Sequence, residues 1–245
     1  MIHADIDNTF GSWRAAARGF AAAAVPPEQI IWDAQVQGGL FGSAKGAQKG
    51  AGGLSVPPEF VKLAEAVACF DDPGRWSLLY RILFRLLNEN RNLMHIEPDA
   101  DVRAARVMAN AVGRDVHKFH AFVRFRRVET DDKEIFVAWH EPRHFTVERA
   151  VPFFARRFGT MNFSILTPKG CAHWDTKELS FSGPANRSMA PGEDETEEFW
   201  LLYYRSIFNP FRLKVKAMKK ELPVRHWTTL PEAVLIPELI RNAKG

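Results

Sequence analysis

Apolar positions recur at three- and four-residue intervals in the first half of the chain. From about residue 121 they alternate with polar ones, and the switch of period predicts helices followed by strands. Thr9 or Asn8 caps a predicted helix running through Trp13 to Ala24, which Pro26 and Pro27 end. Ile30, Ile31 and Trp32 suit a short strand. Pro57 and Pro58 open a helix carrying Phe60, Leu63, Ala64 and Val67. A second follows Pro73, with Trp76, Leu79, Tyr80, Leu83 and Leu87 at helical spacing. A third starts at Asp99 and Asp101, with Val102, Ala105, Ala109 and Val112 on one side, and Gly113 interrupts or weakens it.

The segments AFVRFRRVE (121–129) and EIFVAWHE (134–141) flank a polar turn and predict a β-hairpin. Residues 147–158 predict a helix with Pro152 in its first turn. NFSILTP (162–168), CAHWDT (171–176) and ELSFSG (178–183) predict three short strands, and a polar loop spans 184–195. Helical segments are expected around 195–208, 210–221 and 230–242, broken at Pro210 and Pro223. The expected fold class is α+β, with helices packed around a small antiparallel sheet formed mainly by residues 121–183. No strand–helix alternation is read, which argues against a doubly wound parallel sheet.

The chain has 245 residues, 46% hydrophobic and 25% charged, so a sizeable core is available to it. It is read as a single domain, 1–245, with a flexible Gly-rich loop at 38–55. That loop has neither G-x-G-x-x-G nor a Gly-Lys-Ser/Thr sequence, so it is not a phosphate loop. Cys69 and Cys171, far apart in sequence, read as reduced thiols and suit a cytoplasmic protein. No signal pattern opens the chain and no apolar run spans a bilayer, so no membrane association is expected. The net charge of +4 favours an anionic partner without requiring one.

Charge clustering changes that picture. From Phe199 to Lys220 no acidic residue occurs, while Arg205, Arg212, Lys214, Lys216, Lys219 and Lys220 alternate with Trp200, Tyr203, Tyr204, Phe208 and Phe211. Cations neutralise phosphates and aromatic faces stack on bases, so the composition suits a nucleic-acid surface. Trp200, Leu201, Tyr204, Ile207 and Phe208 also fit a core-facing helical stripe, which covers most of the aromatics and leaves the phosphate reading mainly to the lysines and arginines. Arg225 adds to the phosphate contacts. Trp227 and Tyr203 are candidates for base stacking, and Asn209 bonds a base edge or holds the helix break. A second basic strip is read at His117, Lys118, His120, Arg124, Arg126 and Arg127, where 124 and 126 share a strand face.

His140, Glu141, Pro142, Arg143 and His144 match H-E-x-x-H by letter. A zinc protease needs that motif on a helix, and Pro142 together with the preceding alternation says strand end instead. No metal and no cofactor are expected. If the chain is an enzyme acting on DNA or nucleotides, His140, Glu141, His144 and Glu148 are its polar centre. Ser164, Ser180 and Ser182 lie in predicted strands without a G-x-S-x-G elbow.

Four segments resemble the domain-of-unknown-function family 4130: FVKLAEAVACFDDPGRWSLLYRILFRLL, FVAWHEPRHFTVERAVPFFARRFGTMNFSILTP, AHWD and FWLLYYRSIFNPFRLKVKAMKKELPVRHWTTLPEA. The similarity covers roughly Phe10 to Ile240. Phe70 stands where that family often has His, and His140 where it often has an aromatic residue. The resemblance implies a domain fused ahead of a UdgX-type uracil-DNA glycosylase module, or a stand-alone form paired with a radical-SAM protein in DNA repair. The glycosylase module itself is expected to be absent, with the chain ending about where it would begin. The expected function is a DNA-binding accessory domain of a repair protein. Its partners would be single-stranded or damaged duplex DNA and a uracil-DNA glycosylase module in the same or a partner chain. The alternatives are the His/Glu enzyme above and a protein–protein docking module with an exposed aromatic surface.

Overall fold

Ile2, Ala4 and Ile6 alternate with His3, Asp5 and Asp7 and form strand β1 (Ile2–Asp7), with Ala4 and Ile6 buried. Helix α1 (Phe10–Ala22) follows, and the Ser12 N–H donates to Thr9 Oγ1 at 3.3 Å, making Thr9 the cap. Strand β2 (Ile30–Gln35) pairs parallel with β1, Ile2 opposite Ile30 and Asp7 opposite Gln35. The first strand went unread in the sequence because His and Asp are poor strand formers. The strand–helix–strand unit corrects the expectation that no such alternation exists: a helical connection brings the chain back to the end where it started, which makes the pairing parallel.

The computed structural model describes residues 1–35, 54–96, 98–129 and 134–190, together with Val224, Trp227, Leu230, Ala233, 235–237 and Arg241. The predicted helices at 195–208 and 210–221 therefore lie outside the described residues, as does almost all of the loop 38–55. The contacts divide the chain into two compact units, residues 1–117 with 143–146, and residues 118–142 with 147–245.

In the first unit, helices α2 (Pro58–Val67), α3 (Gly74–Asn88) and α4 (Ala100–Phe122) follow the predicted spacings. Gly113 does not interrupt α4, which runs to Phe122 and into the second unit's stretch of chain. The core is aromatic. The Trp13 ring lies 6.0 Å from that of Trp76 and 6.2 Å from that of Trp32, and Tyr80 lies 5.6 Å from Trp32. The Tyr80 hydroxyl donates to the Val25 carbonyl at 2.8 Å, and burial pushes its phenol up to about 12.

The start of α4 is held by Asp99, whose Oδ1 accepts the Val102 N–H at 3.0 Å while Oδ2 takes Arg85 Nη2 at 2.6 Å. The Arg85 hydrogen bond, more than any other contact, holds the Asp99 carboxyl below its ordinary value. Replacing Asp99 by alanine is expected to lower stability by about 1–2 kcal/mol, the usual cost of losing a cap. The shift of the urea midpoint measures it, and an unchanged midpoint would mean that water replaces the cap without loss.

The second unit holds a five-stranded sheet in the order β3-β4-β5-β6-β7. The predicted hairpin is present, with β3 (Arg126–Glu129) antiparallel to β4 (Glu134–Trp139). Helix α5 (Val147–Arg157) then carries the chain to β5 (Phe163–Leu166), and β4 and β5 pair parallel. The sheet is thus mixed rather than antiparallel, for the reason that made β1 and β2 parallel. Strands β6 (Cys171–Trp174) and β7 (Leu179–Ser182) complete it by antiparallel pairing. Pro152 lies inside α5, past its first turn, so the Glu148 carbonyl receives no N–H from that position. One face of the sheet buries Ala138, Phe163, Ile165 and Ala172, and α5 buries Val151 and Phe154. In the β5–β6 turn, Gly170 has φ +119°, a conformation that L side chains rarely adopt.

Candidate functional site

Two constellations stand out, one in each unit. In the first unit, the residues just before α3 and the short segment 143–146 are tied by side chains reaching the backbone. Asp115, on α4 and buried, accepts the Arg143 N–H at 3.1 Å, the His144 N–H at 3.0 Å and the Thr146 hydroxyl at 3.1 Å. Nδ1 of His144 accepts the Asp71 N–H at 3.2 Å, so the neutral ring carries its proton on Nε2. The Phe70 ring stacks on His144 with centroids 4.4 Å apart. Here Phe70 serves as a packing partner.

Arg75 belongs to the same knot. It is 2% exposed, and its guanidinium donates to the Ala68 carbonyl at 3.0 Å, the Asp72 carbonyl at 2.8 Å and Asn8 Oδ1. It lies 4.3 Å from the Trp76 ring centroid. Burial pulls its pKa down to about 10, partly offset by Asp71, Cys69 and Asp72.

In the second unit, His140 is buried with its ring 4.4 Å from that of Phe119, and its backbone N–H donates to the Leu166 carbonyl at 3.0 Å. Glu141 is exposed and accepts the Trp139 indole N–H at 2.9 Å. Glu148 is exposed in the first turn of α5. Residues 140–144 lie between β4 and α5 and not on a helix, as Pro142 predicts. Among the described residues, no group of three or more His, Cys, Asp or Glu side chains is placed to share a metal ion.

The second constellation went unread in the sequence. His173 on β6 sits opposite Ser164 on β5 and Ser180 on β7. Its Nδ1 lies 2.8 Å from Ser164 Oγ and its Nε2 2.8 Å from Ser182 Oγ. A neutral imidazole has one donor and one acceptor nitrogen, so one serine gives it a proton and the other receives one. Ser164, His173 and Ser180 line a cleft of about 290 Å³ together with Ile135 and Trp174, whose indole N–H donates to the Gly159 carbonyl at 3.1 Å. The only available signal was the AHWD segment itself, since the serines meet the histidine only once the register is known.

Burial pushes the His173 imidazole below its ordinary value. The unfolded chain therefore takes up this proton first. The stability tied to the neutral ring is complete above about pH 6.5 and is lost as the pH falls through the lower folded value. Part of the acid-side loss of stability is expected to vanish in His173→Gln, and urea midpoints of the two proteins between about pH 7 and pH 5 read it. Parallel curves would contradict this assignment.

Arg205, Asn209, Arg212, Lys214, Lys216, Lys219, Lys220, Arg225 and Tyr203 lie outside the described residues. Trp227 is half-buried and packs with Phe122 against Leu230, Ala233 and Ile236. In the second basic strip, His120 Nε2 donates to the Ala150 carbonyl at 2.9 Å and the ring stacks on Phe153 at 4.3 Å. Arg124 precedes β3 and donates to the Ala121 carbonyl at 2.8 Å, so positions 124 and 126 do not alternate along one strand. Cys69 and Cys171, one in each unit, form no disulfide. No helix among the described residues is long and apolar enough to cross a membrane.

The model of the family described as a domain of unknown function, DUF4130, matches residues 73–232. The chain belongs to that family. No curated protein and no solved structure matches it.

Proposed function

We propose that this chain is a DNA-binding accessory domain of a repair system, one that holds single-stranded or damaged DNA for a uracil-DNA glycosylase module in the same or a partner chain. The observation that carries the reading is the run from Phe199 to Lys220, with six Lys and Arg, six aromatic residues and no acid. A stretch of that composition neutralises consecutive phosphates and offers ring faces to bases, without needing a sequence-specific contact. Exposed Arg149, Arg156 and Arg157 on α5 add positive charge. The pairing with a glycosylase rests on the resemblance set out above.

Fluorescence anisotropy with matched single-stranded, duplex and uracil-containing oligonucleotides tests the proposal. Binding that is tightest for the single-stranded or uracil-containing probe is the expected result. No binding to any probe at low salt would overturn it.

A further inference from the structure

We propose that the cleft beside His173 binds an aminated heterocyclic base, the chemical class of cytosine and adenine. The proposal stands apart from the DNA-binding reading, because it is argued from described residues of the sheet and not from the basic C-terminal run.

Three observations select the ligand. The first is size: about 290 Å³ sits at the lower end of ligand pockets and suits one or two rings rather than an extended chain. The second is shape and surface. Ile135 and the fixed indole of Trp174 give apolar walls, while Asn162, Ser164, His173 and Ser180 place polar atoms between them, the pattern that orients a flat polar ring.

The third is charge. Among the described residues lining the cleft, Asp175 and Glu178 are the carboxylates, and both are exposed. The Asp175 carboxyl is held below its ordinary value by the Glu178 and Lys177 N–H groups, which donate to Oδ1 at 2.7 and 2.8 Å. A lining that holds two carboxylates and a neutral imidazole repels phosphate and carboxylate groups and attracts N–H donors. An exocyclic amine supplies two such donors, whereas uracil offers a single ring N–H flanked by two carbonyl oxygens that a carboxylate repels. The histidine already bridges two serines across three strands. Its contribution is therefore to fix the Ser164 hydroxyl at the cleft edge, with Ser182 holding the ring from its other side.

The test is calorimetric titration of the full chain with cytidine, adenosine and uridine, and in parallel with short oligo(dC), oligo(dA) and oligo(dT). Cytidine and adenosine are expected to bind about tenfold or more tightly than uridine, the consequence of one charge-assisted hydrogen bond. Glu178→Gln is expected to erase that preference. Because this substitution removes a negative charge, general attraction to DNA would rise, so weaker oligo(dC) binding is specific to the cleft. His173→Phe is expected to abolish the preference as well, and the exposed Glu178 variant serves as the arm that leaves the sheet intact.

A preference seen with nucleosides supports the proposal and identifies a free ligand. A preference seen only with oligonucleotides, and lost in Glu178→Gln, supports it with the base presented by a strand. Equal binding of amino and carbonyl bases, or no binding of either, overturns it whether or not the basic run binds DNA.

Discussion

Changing Lys214, Lys216, Lys219 and Lys220 together to glutamine is expected to weaken DNA binding roughly a hundredfold at moderate salt and to flatten its salt dependence. Each lysine that neutralises a phosphate releases a counterion. Removing four such contacts should lower the magnitude of the log–log slope by roughly four on duplex and less on single strands. Glutamine keeps much of the aliphatic stem and removes the charge, so packing along those stems is largely retained. The variant's thermal midpoint should stay close to that of the parent. An unchanged slope would mean that these lysines do not meet phosphate, and the accessory-domain reading would lose its main support. Tyr203→Ala and Trp227→Ala probe a different contribution, since stacking is worth about 1–3 kcal/mol per base and is insensitive to salt. Trp227 also packs against Leu230, Ala233 and Ile236, so its variant must be judged with its stability measured alongside.

The second large effect is structural. Asp115→Ala is expected to destabilise the first unit by about 3–5 kcal/mol, because one buried carboxylate satisfies two backbone N–H groups and one hydroxyl. The Arg143 and His144 amides and the Thr146 hydroxyl would then lack their acceptor. Asp115→Asn keeps one acceptor oxygen and should lose roughly half as much. Thr146→Val removes a single hydroxyl at constant shape and should cost about 1 kcal/mol. Urea denaturation of the three variants reads this ranking. An Asp115→Ala protein with a parental midpoint would show that the knot around 143–146 contributes nothing to the fold.

What was legible in the chain follows from which forces act locally. Helix α3 was readable because Trp76, Leu79, Tyr80 and Leu83 repeat at its own period, and all four are buried. The hairpin β3–β4 was readable because both strands alternate about a short polar turn. Strand direction was not, since alternation reports which residues share a face and says nothing of whether neighbours run parallel. The order strand, helix, strand over β4, α5 and β5 carried that information, and an antiparallel sheet was expected in spite of it. Pro142 correctly excluded a helical H-E-x-x-H, a decision made by backbone chemistry within five residues.

The candidate sites were less legible. Asp115 is one aspartate on a long helix, and only the return of the chain at residues 143–146 gives its carboxylate three donors. Ser164, His173 and Ser182 sit on three different strands, and a shift of register by one residue would point the histidine to the opposite face. Each serine lies nine residues from the histidine, but that spacing brings them together only in this strand register. The basic run is the reverse case: its composition is plain in the sequence, and its argument rests on charge and aromatic content alone.

The most direct measurement for the central claim is the salt dependence of binding to a single-stranded oligonucleotide and its duplex, followed by anisotropy from low to moderate salt. If most of Arg205, Arg212, Lys214, Lys216, Lys219, Lys220 and Arg225 meet duplex phosphates, the log–log slope should fall between roughly −4 and −6, and it should be shallower on the single strand. A slope near zero, or no binding even at the lowest salt, would contradict the account.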